Sequence, residues 1–98
     1  MRITTLEEKV RERVDALIDP ETGLTFGEMR LIKKLKEEAP GVVRIDFKPT
    51  SPFCPIALKF AADIKDAALR VEEVNKVLVY CHSHVMEEKI NRIINEGE

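Results

Sequence analysis

At 98 residues the chain is long enough for one two-layer core and too short for two independent ones. Its 44% hydrophobic and 35% charged residues describe a globular domain with a heavily solvated surface, which excludes disorder except at the ends. The 16 basic and 18 acidic side chains are interleaved and sum to -2, so no one-signed field tracks a phosphate backbone and nucleic acid is not an expected partner.

No apolar run approaches membrane-spanning length, and from Arg2 onward the first residues are too charged for the core of a secretory signal. A single cytoplasmic domain over residues 1–98 is expected, with no membrane partner. In a reducing compartment Cys54 and Cys81 are then free thiols or metal ligands before they are a disulfide.

The first element is an amphipathic helix over about 5–18, in which Leu6, Val10, Val14, Leu17 and Ile18 share one face while Glu7, Arg11, Glu12 and Asp15 lie elsewhere. Thr5 and Glu8 have capping-box spacing. Pro20 disfavours the α conformation at Asp19, so the helix stops and Asp19-Pro20-Glu21-Thr22-Gly23 reads as a tight turn. From Gly27 to Pro40 the signals conflict. Met29, Ile32 and Leu35 have helical spacing among good helix formers. Yet Pro40-Gly41 is a turn, and Val42 to Lys48 alternates, with Val43, Ile45 and Phe47 on one face, and needs a neighbour to pair with. The segment before the turn is taken as that neighbour, a hairpin strand with Leu31, Lys33 and Leu35 alternating against Ile32 and Lys34.

Cys54 falls at a cap position and Pro55 at the first helical position, where a missing N–H does no harm. The helix runs to about Val71, with Ala57, Phe60, Ala61, Ile64, Ala67, Ala68 and Val71 as a stripe broad enough to cover a small sheet. Val74 to Cys81 is a strand with Val77, Val79 and Cys81 on one face and Leu78 and Tyr80 on the other. Ser83 caps a final helix over about 83–95, with Met86, Ile90, Ile93 and Ile94 as its buried side and Glu87 and Glu88 at its positive end. The order α-β-β-α-β-α predicts an α+β two-layer sandwich, its helices packed on a small mixed three-stranded sheet. The hairpin pair is antiparallel and the crossover pair parallel. Three loops then meet at one sheet edge: Asp19 to Gly27, Thr50 to Cys54, and Cys81 to His84. Such carboxyl-end edges are where open sheets with crossovers place ligands.

A thiol at a helix start faces free N–H groups and the positive end of the helix dipole, both of which favour thiolate, and Thr50 and Ser51 are nearby hydroxyl donors for Cys54. The plain alternative is a small buried residue. Cys81, His82 and His84, with Cys54 on the same edge, offer ligands for zinc or iron. Their spacing matches no standard zinc motif, and strand alternation turns Cys81 and His82 to opposite faces. The alternative is a buried Cys81 and solvent-facing histidines. Asp19 and Glu21 are candidate metal ligands or a base near Cys54, or else turn chemistry and a solvated side chain. No catalytic triad and no Gly-rich phosphate loop is present, and Lys33, Lys34, Lys36, Glu37 and Glu38 read as a solvated hairpin face.

With these pieces assembled, the chain resembles the small iron-sulfur cluster assembly domain family that includes the SufT-like proteins and the PaaD subunits of phenylacetate degradation. The resemblance runs from about Leu6 to Tyr80. It rests on Asp19-Pro20-Glu21, on Glu28-Met29-Arg30-Leu31-Ile32, on Thr50-Ser51-Pro52-Phe53-Cys54-Pro55, and on Val74, Val77 and Val79. The Thr-Ser-Pro-x-Cys-Pro piece is the specific one. The resemblance implies a two-layer domain similar to the C-terminal domain of NifU-type scaffolds, with Leu31 to Leu35 as strand. It also implies a role in maturation or delivery of iron-sulfur clusters, and the leading reading is a non-enzymatic assembly or transfer factor with client or scaffold proteins as partners. Cys54 is the implied key residue, and Asp19, Glu21 and Thr50 line its pocket. The family pattern has Gly where Arg30 and Glu73 stand, and its Trp- and Pro-containing tail is replaced by Cys81-His82-Ser83-His84 and a helix. On this reading the Cys54 thiolate binds iron or a labile cluster. A cluster normally takes four protein ligands, so a homodimer, a partner protein or a small thiol supplies the rest. The alternatives are an accessory interaction module with a structural Cys54, and a zinc protein using Cys54, Cys81 and one histidine. Thiol-based catalysis comes last, for want of an orienting base.

Overall fold

In a computed structural model, which describes residues 5–95, the chain folds as α1 (Leu6–Asp15), β1 (Ile32–Ala39), β2 (Val42–Phe47), α2 (Ala57–Leu69), β3 (Lys76–Cys81) and α3 (Glu87–Asn95). The expected order and α+β class are observed. Of the expected domain, residues 1–4 and 96–98 lie outside the described residues.

The start of α1 is set by Thr5, whose Oγ1 accepts the Glu8 N–H at 3.1 Å, and its apolar face buries Val10 and Val14. The helix ends at Asp15 rather than near 18, because the returning loop claims the carbonyls that would extend it. Gly27 N–H donates to Asp15 O at 3.0 Å and Phe26 N–H to Leu17 O at 2.8 Å. Ile18, expected on the buried face, instead bridges Thr25 and is 62% exposed.

β1 and β2 form the expected antiparallel hairpin through Pro40-Gly41, where Gly41 has φ 78 and a Cβ would collide with the Asn75 amide. The alternation expected for β1 is corrected by a bulge between Ile32 and Lys34. Ile32 is buried and Leu35 half-buried, while Lys33 and Lys34 are both exposed. Leu31 is buried ahead of the strand, its N–H on Phe26 O and its carbonyl accepting from Lys48 N. The bulge accounts for the helix-like spacing of Ile32 and Leu35. A second irregularity, between Glu37 and Ala39, is tied to α1 by the Glu7 carboxylate, which accepts the Glu37 N–H at 2.8 Å.

β2 pairs parallel with β3, placing Val43 beside Val77, Ile45 beside Val79 and Phe47 beside Cys81. All six side chains are fully buried. Across from them lies α2, with Ala57, Phe60, Ala61, Ile64, Ala67 and Ala68 buried, and α1 packs on α2 and β1. On the opposite face of the sheet the Arg44 guanidinium sits 4.3 Å from the centre of the Tyr80 ring and 3.1 Å from Asp46.

α3 packs against β3 and α2 but starts later than expected. Ser83 is not its cap. It adopts φ 58, a left-handed turn that delays the helix. The His84 ring takes the capping role, Nδ1 accepting the Met86 N–H at 3.0 Å. Of the four residues expected on the buried side of α3, Ile90 is buried and Ile94 half-buried, whereas Met86 and Ile93 are exposed.

Candidate functional site

The loop leaving β2 is folded by its own polar groups. Ser51 Oγ accepts the Phe53 N–H at 3.1 Å, and Ser51 O accepts the Cys54 N–H at 3.2 Å. Pro55 brings no N–H, and Ala57 N–H reaches back to Cys54 O at 3.4 Å. The consequence is a turn through Pro55 and Ile56, with Ile56 as the N-cap of α2 and no side-chain cap. Cys54 therefore precedes the cap instead of occupying it, and two N–H groups near it are engaged by backbone carbonyls. Its thiol-bearing side chain is half-buried and packs on the core.

The Thr50-to-Cys54 and Cys81-to-His84 loops meet as expected. Val85 N–H donates to Pro52 O at 3.0 Å, and His84 Nε2 lies 2.9 Å from Cys54 O. Because His84 Nδ1 accepts from Met86, the proton belongs on Nε2, which donates to the Cys54 carbonyl. Both ring nitrogens are thus used in fastening the loops. The result is a cleft of about 490 Å³ between the start of α2 and α3, with Cys54, His84 and Ile90 among its lining residues. Its rim is apolar and open to solvent: Phe53 is 72% and Val85 63% exposed, with Met86 and Ile93 beside them. Sequence reasoning missed this rim. The available signal was a Phe inside a proline-bounded loop, where it has no secondary structure to pack from.

Asp19 and Glu21 are not among the residues lining that cleft. The Asp19 carboxylate closes its own turn: Oδ1 accepts the Glu21 N–H at 2.8 Å, and Oδ2 accepts the Thr22 hydroxyl at 3.3 Å. Asp19 O also accepts the Gly23 N–H at 2.8 Å, with Gly23 at φ 76. Asp19→Ala is accordingly expected to lower stability by about 1–2 kcal/mol in urea unfolding, and Asp19→Asn, which keeps the acceptor, by less. Glu21 is exposed.

The zinc ligand set is not assembled. Cys81 is fully buried on the core face of β3, and its thiol is pushed up to about 11, first by burial and then by Glu87 and Cys54. His82 belongs to the opposite face, its Nε2 3.7 Å from Asp46 Oδ1. Among the described residues no three His, Cys, Asp or Glu side chains are grouped so as to hold a metal ion.

Comparison with known proteins agrees with this architecture. Residues 7–79 match the model of a family described as iron-sulfur cluster assembly protein. The chain is 33% identical over 92 residues to an uncharacterised protein of Methanocaldococcus jannaschii, covering 94% of this chain and 97% of that one. It is similar to the crystal structure of a domain of unknown function from Bacillus anthracis, with a TM-score of 0.72 and 26% identity over 91% of this chain and 87% of that one. A likeness of fold extends to the solution structure of a Mycobacterium tuberculosis protein associated with iron-sulfur complex assembly and repair. The TM-score there is 0.52, at 19% identity over 92% of this chain and 84% of that one. The matched stretch 7–79 includes Asp19 and Cys54 and ends within β3, ahead of Cys81, His82 and His84.

Proposed function

The chain belongs to the iron-sulfur cluster assembly protein family, and from that premise we propose that it is a non-enzymatic assembly or transfer factor whose cargo, iron or a labile cluster, is held by the thiolate of Cys54. The observation that carries this reading is the half-buried Cys54 side chain lining an open cleft, while the second cysteine is sealed in the core. The Thr50-Ser51-Pro52-Phe53-Cys54-Pro55 loop lies within the family match and supports it. Ser51 shapes the loop that presents the thiol, next to the exposed Thr50, and Asp19 and Glu21, which are not among the cleft's lining residues, are not proposed as ligands. One thiolate leaves most of a cluster's coordination open, so the other ligands come from a client or scaffold protein, a small thiol or a second copy. The cytoplasm suits two free thiols, and among the described residues no helix is long and apolar enough to cross a membrane.

Anaerobic incubation with iron and sulfide tests this directly. Wild type and Cys81→Ser should retain iron and a charge-transfer spectrum, and Cys54→Ser should lose both. Equal iron in wild type and Cys54→Ser would refute the proposal. The apolar rim of Phe53, Val85, Met86 and Ile93 favours a second reading, an interaction module that docks a client while Cys54 is structural. Client capture that survives Cys54→Ser but fails in Phe53→Asp would select it.

A further inference from the structure

With the strand order β1-β2-β3, β3 has one edge that no strand covers. Two side chains of α3 cover it instead. Val79 N–H donates to Asn95 Oδ1 at 3.0 Å, and Val79 O accepts from Asn95 Nδ2 at 2.9 Å. Cys81 repeats the exchange with Asn91, at 2.6 Å and 3.2 Å. A carboxamide carries one carbonyl and one NH₂ in a plane, the same donor and acceptor as a peptide group. Four helical residues rise about 6 Å and two strand residues about 6.6 Å, so amides one helical turn apart fall in step with alternate peptides of a strand. Asn91 and Asn95 thus reproduce the pairing of a neighbouring strand.

The strand beneath them has little protection of its own. After Lys76 it runs Val77-Leu78-Val79-Tyr80-Cys81 without a charge, a Pro or a bulge. β1, at the other edge, carries Lys33, Lys34, Lys36, Glu37 and Glu38 and two irregularities, the usual guards against edge-to-edge pairing. The cover is a short helix held more by hydrogen bonds than by apolar burial. α3 has 9 residues, too few to be stable alone, and a single buried side chain, Ile90. It also lies wholly beyond the family match, which ends at residue 79.

We propose that the β3 edge is a strand-accepting surface for a second copy of this chain, closed in the monomer by the Asn91 and Asn95 amides and opened when α3 lifts away. The outward peptides of β3 alternate, with Val77 next in line after Val79 and Cys81. An antiparallel pair centred on Val79 is therefore self-complementary: Val77 of one copy faces Cys81 of the other, and Leu78 faces Tyr80. The two sheets join into one of six strands. This reading does not depend on the role proposed for Cys54.

The test compares wild type with Asn91→Ala/Asn95→Ala, which removes both amides while keeping good helix formers in α3. Size is read by light scattering over a concentration series, and amide exchange at Val79 and Cys81 in parallel. The double variant should dimerise at a concentration roughly tenfold or more below that needed by wild type, with Val79 and Cys81 still protected in the dimer. Adding Leu78→Lys, a guard of the kind β1 carries, should return it to the wild-type size. A double variant of wild-type size throughout, with freely exchanging Val79 and Cys81 amides, overturns the proposal, and so does a dimer indifferent to Leu78→Lys. If the double variant loses protection at Val43 and Ile45 and so has unfolded, the single variants Asn91→Ala and Asn95→Ala are read the same way. Unchanged size in both overturns it equally.

Discussion

Phe60→Ala should cost about 3–5 kcal/mol and lower the melting temperature by roughly 15–30 °C, the largest stability loss expected of any single truncation in α2. The reason is the composition of the buried stripe. Ala57, Ala61, Ala67 and Ala68 let the helix lie close to the sheet but fill little space, so the bulk of its contribution rests on Phe60 and Ile64. Phe60 also does something Ile64 does not. Its ring meets Phe26 edge-on, with centroids 5.0 Å apart at 61°. Phe26 is itself tied to Leu17 and Leu31 by backbone hydrogen bonds, so one ring fastens the loop between α1 and β1 onto α2. Phe60→Leu restores most of the volume and loses only the ring contact, for which about 1–1.5 kcal/mol is expected. Urea unfolding of the two variants separates volume from ring contact. A cost under about 1 kcal/mol for Phe60→Ala would mean that the stripe closes over the gap.

The parts of this fold that were legible in the sequence are those where one periodicity ran without a competing signal. β2, α2 and β3 each show a single unbroken pattern, and every residue assigned to their buried faces is buried. β1 was harder, because a bulge converts a period of two into a spacing that imitates a helix. Only the need of β2 for a partner decided it. The ends of elements were misplaced wherever side chains or loops capture the terminal backbone groups: Ser51 shifts the start of α2, and Ser83 with His84 shifts that of α3. The site was half legible. Topology brought the Cys54 and Cys81 loops together, as the hydrogen bonds between Pro52, Cys54 and the His84-Val85 segment record. It could not show that Asp19 spends its carboxylate within its own turn. Asn91 and Asn95 went unnoticed because an asparagine in a helix reads as surface. The signal was there in their spacing, one turn apart and each next to an apolar residue, Ile90 or Ile94, of the inward side.

The contrast between the two cysteines yields the other large effect. In the folded protein at pH 8 iodoacetamide should modify Cys54 and leave Cys81 intact. Burial, reinforced by the negative charge of Glu87 and by Cys54, pushes the Cys81 thiol from 9.0 up to about 11. Its thiolate fraction at that pH falls roughly 100-fold below that of an ordinary thiol, before any steric protection is counted. Unfolding should abolish the difference, so mass analysis gives one adduct per native chain and two per denatured chain. The same displacement acts on stability. Between pH 9 and about 11 the folded state keeps a proton that the unfolded chain has released, so the contribution is whole below pH 9 and is lost as pH climbs towards 11. Two units at about 1.4 kcal/mol each limit it to roughly 3 kcal/mol, and screening brings it lower. The quantity to measure is the difference between wild type and Cys81→Val, in which every contribution other than that of Cys81 cancels. The gap between their unfolding free energies should shift by about 1–3 kcal/mol against wild type from pH 8 to 11. Parallel curves would mean that Cys81 is reached by water in a way that its full burial does not allow.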